Sequence, residues 1–210
     1  MTRPVALVTG GTSACGRRVV RGLAAHGYDV AIHCHATLAV ARELAAELEA
    51  AGGRALAVTS DLRDEAATRA LVHRVADTFG RIDTVVCTAG IRRPTTLEEL
   101  VVGDLRAHLD VACLGGFLIA QEAGGTMLAQ DSGGVIVLLG GAPSSEPDRL
   151  AETVGWAAVP PLAAALDAEF SRRHPRLRVT CVVPRADDTA ERVAADLLAA
   201  AAVRPAAGAG

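Results

Sequence analysis

The sequence predicts an α/β fold: a doubly wound, three-layer parallel sheet of about six strands with helices on both faces, in one domain. Short β-branched runs alternate with longer Ala/Leu/Arg stretches of helical period along the chain. The first run leads directly into a glycine-rich turn and a helix, the opening of a right-handed strand–helix–strand unit. A chain of 210 residues that is 50% apolar is long enough to bury roughly 70% of the surface its unfolded form exposes. Aromatics make up only 2% of it, so Ala, Val and Leu must build the core.

In order, Pro4 to Thr9 reads as a buried strand, followed by a glycine-rich turn and a helix from about Cys15 to His26. Tyr28 to His33 is a second strand, and residues 38–51 carry apolar positions at helical spacing until Gly52-Gly53 stops them. Ala55 to Thr59 makes a third strand, Asp64 to Phe79 a helix with Gly80 just past its end, and Val85 to Cys87 a fourth strand. Residues 97–130 read as two helices interrupted near Gly115-Gly116, and Val135 to Leu139 as a fifth strand. A helix from about Leu150 to Arg172 contains Pro160-Pro161, where a kink is expected because proline lacks the N–H a helix interior needs. A sixth strand, Arg178 to Val183, and an amphipathic helix from about Thr189 to Ala202 complete a domain over 1–202. Residues 203–210 form a Pro/Ala/Gly tail without periodicity, expected to be disordered.

Net charge is −3 and the arginines are dispersed, which argues against a nucleic-acid partner. Cys15, Cys34, Cys87, Cys113 and Cys181 stand singly and mostly in apolar runs, as reduced buried thiols do in a cytoplasm. His33 and His35 share one face of a strand but lack a third ligand, so no metal is expected. The first strand begins almost at Met1, and no apolar run reaches the roughly 20 residues that span a bilayer. A soluble cytoplasmic protein, with no membrane partner, is the expectation.

The turn Thr9-Gly10-Gly11-Thr12-Ser13-Ala14-Cys15-Gly16-Arg17 points backbone N–H groups and a helix N-terminus at one place, the arrangement that suits a phosphate. Asp61 directly follows the third strand and Cys87-Thr88-Ala89-Gly90 ends the fourth, where a dinucleotide lies along strand ends. These residues, with the blocks VALVTGGTSACG, YDVAIHCHA, AVTSDLRD, FGRIDTVVCTAG, VACLGGF, GGVIVLLGG and RLRVTCVVPRADDT, resemble the short-chain dehydrogenase/reductase family. The likeness is greatest to its ketoacyl-carrier-protein reductase and pteridine reductase branches, and it covers about residues 3–190. It implies a Rossmann-type fold whose last strand is missing here. It also implies that Gly10, Thr12, Ser13 and Gly16 cradle a pyrophosphate, that Asp61 and Leu62 flank an adenine, and that Ala89 and Gly90 pass beneath a ribose. No acidic residue ends the second strand, and Arg17 is free to pair with a 2′-phosphate, which favours NADP over NAD.

Reduction in this family needs a tyrosine acid, a lysine four residues later, a serine and an asparagine. The chain contains no lysine, no asparagine and one tyrosine, Tyr28, in the second strand. The resemblance places Glu152 at the tyrosine position, Trp156 at the lysine position, Gly140 or Gly141 at the serine position and Ala112 at the asparagine position. Arg185 follows Pro184 where the family has a glycine. Glu152, Asp187, Asp188 and Arg185 are expected to gather at the carboxyl ends of the strands with Trp156, Ser144, Ser145 and either Cys113 or His108. A carboxylate partly buried beside an indole suits proton abstraction or delivery.

The leading expectation is a repurposed, non-redox small-molecule enzyme of specialised metabolism, of cyclase, dehydratase or isomerase type, with Glu152 or Asp187/Asp188 as acid or base. The alternatives are a pseudoenzyme that binds NADP(H) or a reductase partner, and an NADP(H)-dependent oxidoreductase with unfamiliar proton delivery. The cofactor is accordingly either none or NADP(H) bound without a catalytic part. The chain is expected to assemble as a dimer or tetramer, or with another member of the family.

Overall fold

The computed structural model describes residues 3–141, 146–185 and 187–202. Val5–Thr9 is buried at every position and forms the central strand β1. It is followed by α1 (Ala14–Ala25), β2 (Asp29–Cys34), α2 (Leu38–Ala50), β3 (Ala55–Thr59), α3 (Glu65–Phe79) and β4 (Thr84–Cys87). The second half runs α4 (Val102–Leu109), a π-helical stretch (Asp110–Leu114), α5 (Gly115–Leu128), β5 (Gly134–Leu139), α6 (Leu150–Ala157), α7 (Val159–Arg173), β6 (Leu177–Val182) and α8 (Ala190–Ala202).

The strands form a six-stranded sheet in the order β3-β2-β1-β4-β5-β6. Every pairing is parallel; Leu7 of β1 lies between Ala31 of β2 and Val85 of β4. The chain therefore winds outward in one direction from β1 and in the other from β4, and the switch point between them is where an open α/β sheet presents its ligand crevice. Because successive side chains point to opposite faces, each central strand feeds two cores. Leu7, Ala31, Val85 and Ile136 pack with α3, α5 and α7 on one face, and Ala6, Val8, Val30, Val86 and Val137 with α1, α2 and α8 on the other. No seventh strand occurs among the described residues.

Local chemistry sets the boundaries. Asp64 caps α3 by accepting from the Ala67 N–H at 3.0 Å, and Gly80 closes it in the left-handed region at φ 78°. On α5, a Cβ on Gly124 would stand 2.7 Å from Cε1 of Phe170, so a glycine there admits one of the few aromatics into the core.

Two expectations about helices change. The segment after residue 97 becomes helical only at Val102, and it does not break at Gly115-Gly116. It continues to Leu128 through the π-helical stretch, because Gly115 packs against Leu62 and the following turns bury Ile119, Ala120 and Ala123. The resulting 27-residue helix is long and apolar enough to cross a bilayer, yet half of its most apolar window is buried, and α5 packs against α3 as a core helix. The expected kink at Pro160-Pro161 is a full break, with α6 ending at Ala157 and α7 starting at Val159. The prolines occupy the first turn of α7, where a missing N–H costs least. The tail 203–210 lies outside the described residues.

Candidate functional site

At the switch point, β1 ends in Thr9 and the chain turns through Gly10 at φ +66°, a conformation that a side chain rarely adopts. A Cβ on Gly10 would stand 2.9 Å from the backbone of Ala89, and one on Gly16 would stand 2.9 Å from both Gly10 C and Gly11 Cα. Both contacts are backbone against backbone, so neither neighbour can give way. They press the first turn of α1 onto the loop and bring the Ala89 segment alongside. Ser13 is the N-cap of α1, its hydroxyl accepting from the Gly16 N–H at 3.0 Å. Thr12 Oγ1 meets Thr37 Oγ1 at 2.7 Å and ties the turn to the start of α2. Arg17 is exposed, and among the described residues its guanidinium has no ion pair. Gly10, Thr12, Ser13, Gly16 and Arg17 thus lie together in the turn between β1 and α1 and its first helical residues.

The neighbouring strand ends hold polar groups in a different state. The Asp61 carboxylate is clasped by Arg63, with Arg63 Nη2 donating to Oδ2 at 2.6 Å, and His35 Nε2 lies 3.7 Å away. The Arg63 pair lowers the Asp61 pKa to about 2. Leu62 points instead into the core, where it backs Gly115; its part is to hold the loop up from below. His33, one of the residues that replace an acid at the end of β2, is 1% exposed. Burial lowers its pKa to about 4, so the ring is neutral; Nε2 then donates to the Ser60 carbonyl at 3.1 Å and Nδ1 is left as an acceptor. Both His33 Nδ1 and Ser60 Oγ are buried without a partner.

The far side of the crevice is filled. Trp156 of α6 is only 6% exposed. Its ring lies against Gly90, where a Cβ would stand 2.8 Å from Cε2 and from Cη2. A Cβ on Gly141 would stand 2.6 Å from Trp156 Cβ, and one on Gly140 would stand 2.7 Å from the Cys181 sulfur and 3.2 Å from Pro160 Cγ. The contacts with Trp156 and with the Cys181 sulfur are closer than real side chains come, and the one with Pro160 is tight. The proline break contributes as well. Pro160 has no N–H to offer the Trp156 carbonyl, and the Gly141 N–H takes its place at 3.4 Å. Cys87, below Ala89, has its thiol pushed up to about 12 by burial, which leaves it unreactive.

The four other residues expected at this centre do not join Trp156 in one cluster. Glu152, its side chain 13% exposed, faces Arg149 at 3.1 Å and Arg92 at 3.7 Å. Asp188 accepts from the Arg185 N–H at 2.8 Å and so closes the turn before α8, whose own cap is Thr189. Arg185 and Asp188 line a polar surface groove with Arg192 and Asp196 of α8, and Asp187 is exposed. Their proximity in sequence to a strand end suggested a cluster; the turn directs them along α8 instead. His108 is buried under Gly155, Cys113 is half-buried in the π-helical stretch, and Ser144 and Ser145 lie outside the described residues. Arg92 and Arg149 were missed by sequence reasoning, since only the packing of α6 against the segment after β4 brings Arg92 to Glu152.

The short chain dehydrogenase family model matches residues 4–196. The chain belongs to the short-chain dehydrogenase family. Its relatives include the L-rhamnose 1-dehydrogenase (NAD(P)(+)) of Sphingomonas sp. (strain SKA58), 35% identical over 56% of this chain and 46% of that protein. The 3-oxoacyl-[acyl-carrier-protein] reductase of Synechocystis sp. is 35% identical over 56% of this chain and 48% of the relative. These matches span about half the length of the relatives concerned. Among solved structures, a short chain dehydrogenase from Burkholderia cenocepacia in complex with NADP has a TM-score of 0.82 and 30% identity, over 93% of this chain and 88% of that one. A Serratia marcescens short-chain dehydrogenase/reductase mutant has a TM-score of 0.86 and 25% identity, over 100% and 94%. Trp156 packs where the resemblance places a lysine.

Proposed function

We propose that this short-chain dehydrogenase-family chain binds a 2′-phosphorylated adenine nucleotide, NADP(H) among them, without transferring hydride, and acts by assembling with another chain of the family. The observation that carries this reading is the contact of the Trp156 indole with Gly90 and Gly141, beside a phosphate turn that is fully built. The residues of that turn fit the phosphates of a dinucleotide: Gly10 and Gly16 allow close backbone approach, and Arg17 supplies the unpaired charge. When bound, NADP(H) supplies a hydride donor or acceptor, but nothing in the described crevice offers the tyrosine and lysine that this family uses to deliver the proton. Assembly is supported by an apolar surface. Val101 and Val102 at the start of α4, Leu114, and Leu150 and Val154 of α6 are exposed, and α4 and α6 pack side by side.

The non-redox acid–base reading is less supported, because Glu152 is engaged by two guanidiniums, Asp188 lies in a groove along α8, and Asp187 is exposed. An NADP(H)-dependent oxidoreductase is the second reading, favoured by the NADP complex of the 30% identical neighbour. NADPH titration followed by the fluorescence of the single tryptophan, together with NADPH consumption over a carbonyl panel, tests the proposal. Saturable quenching without consumption is expected. Steady consumption establishes the oxidoreductase instead, and absence of binding removes the nucleotide reading.

A further inference from the structure

We infer that the crevice recognises only the adenosine-phosphate half of a nucleotide, so that its ligand is an adenine nucleotide ending at its phosphates, and a nicotinamide adds nothing to affinity. This rests on the nucleotide reading above and narrows it to one half of the groove.

The two halves of the crevice differ in kind. On the β1–β3 side, Thr12, Ser13 and Asp61 are engaged within the turn and by Arg63, but other polar groups are not. Arg17 has no ion pair among the described residues, the α1 N-terminus faces the Gly10 turn, and His33 Nδ1 and Ser60 Oγ are buried without partners at the carboxyl ends of β2 and β3. A buried acceptor and hydroxyl left in that state cost free energy that a ligand, or a water it carries, can relieve. On the β4–β6 side, the described residues leave little space, and the one buried polar atom without a partner there, His108 Nε2, lies under Gly155. The indole covers Gly90, Gly141 backs the indole, Gly140 is covered by Cys181 and Pro160, and the Trp156 carbonyl is satisfied by Gly141. A ring following the pyrophosphate toward Gly90 must displace a side chain that is 6% exposed and give up its apolar burial. The binding energy of that ring is therefore offset by the burial it undoes, while the phosphates and adenosine are bound in full. A 2′-phosphate has Arg17 as its cation.

Calorimetric titration of the wild-type chain with adenosine 2′,5′-bisphosphate and with NADPH tests this directly. The two dissociation constants should agree within roughly threefold. In Trp156→Leu, which keeps an apolar side chain and hence the fold, and in Trp156→Ala, NADPH should tighten roughly tenfold or more while the bisphosphate stays unchanged. NADPH binding the wild type more than tenfold tighter than the bisphosphate, or weakening in both variants, overturns the inference and leaves the nucleotide reading standing. Failure of both ligands to bind the wild type overturns the two together.

Discussion

If Trp156 is a packed plug, its removal has a cost that follows from its burial. The side chain is 6% exposed, and an indole of this kind buries about 150–250 Å². At roughly 25 cal/mol per Å² that is about 4–6 kcal/mol, and compactness of the unfolded chain trims it by about 10–40%. The result, about 3–5 kcal/mol, is also the range for Trp→Ala changes in cores. For a domain of this size each kcal/mol is worth about 2–4 °C, so Trp156→Ala should melt roughly 6–20 °C below wild type by circular dichroism. Gly90→Ala gives the matching half of a cycle. Its added methyl meets the ring at 2.8 Å from two atoms, an overpacking worth about 1–3 kcal/mol in the wild type. In the Trp156→Ala background the ring is gone and the same methyl should be nearly silent, leaving a coupling of at least about 1 kcal/mol. A Trp156→Ala variant melting within about 2 °C of wild type, or a Gly90→Ala penalty equal in both backgrounds, would refute the packed contact.

Other measurements test the adenosine side. His33, neutral and buried with a folded pKa of about 4, gains its proton in the unfolded chain near 6.5. Stability should therefore fall as pH drops through that interval, by about 3 kcal/mol, and flatten below it, and denaturation of His33→Leu should lack this slope. Asp61, held at about 2 against an ordinary 3.8 by Arg63, contributes stability that is present above pH 4 and lost as pH falls toward 2. Carboxyl NMR titration should find that low midpoint, and Arg63→Ala should raise it. Arg17→Ala should weaken NADPH binding roughly 10–100-fold while leaving NADH little changed, because only the 2′-phosphate loses a charged donor.

Much of the fold was legible in the sequence because its signals are local. Val5 to Thr9 is an unbroken apolar run, as a strand buried on both faces must be, and Ser13 caps the helix that begins one residue later. Gly10 and Gly16 announced a close backbone approach, which the φ of one and the crowding of the other bear out. What was not legible depends on contacts between distant segments. Gly115-Gly116 looks like a helix end until Leu62, from the loop after β3, fills the space beside it. Glu152 looks like an available acid until Arg92 arrives from the segment after β4. That Trp156 stands where the resemblance places a lysine was visible, but its meeting with Gly90 and Gly141 was not, since neither glycine betrays what leans on it. Asp187 and Asp188 misled for the opposite reason: their position after a strand end suggested a crevice, whereas Asp187 is exposed and a short turn closed by Asp188 directs that residue along α8.

The abutment of Trp156 and Gly141 also couples the two positions. A side chain at 141 and an indole at 156 exclude one another, since even a methyl at 141 would stand 2.6 Å from Trp156 Cβ. A larger side chain placed at 141 alone would damage the core, and a lysine placed at 156 alone would put a charge among apolar walls. Each single change is uphill, so the two positions can change only as a pair.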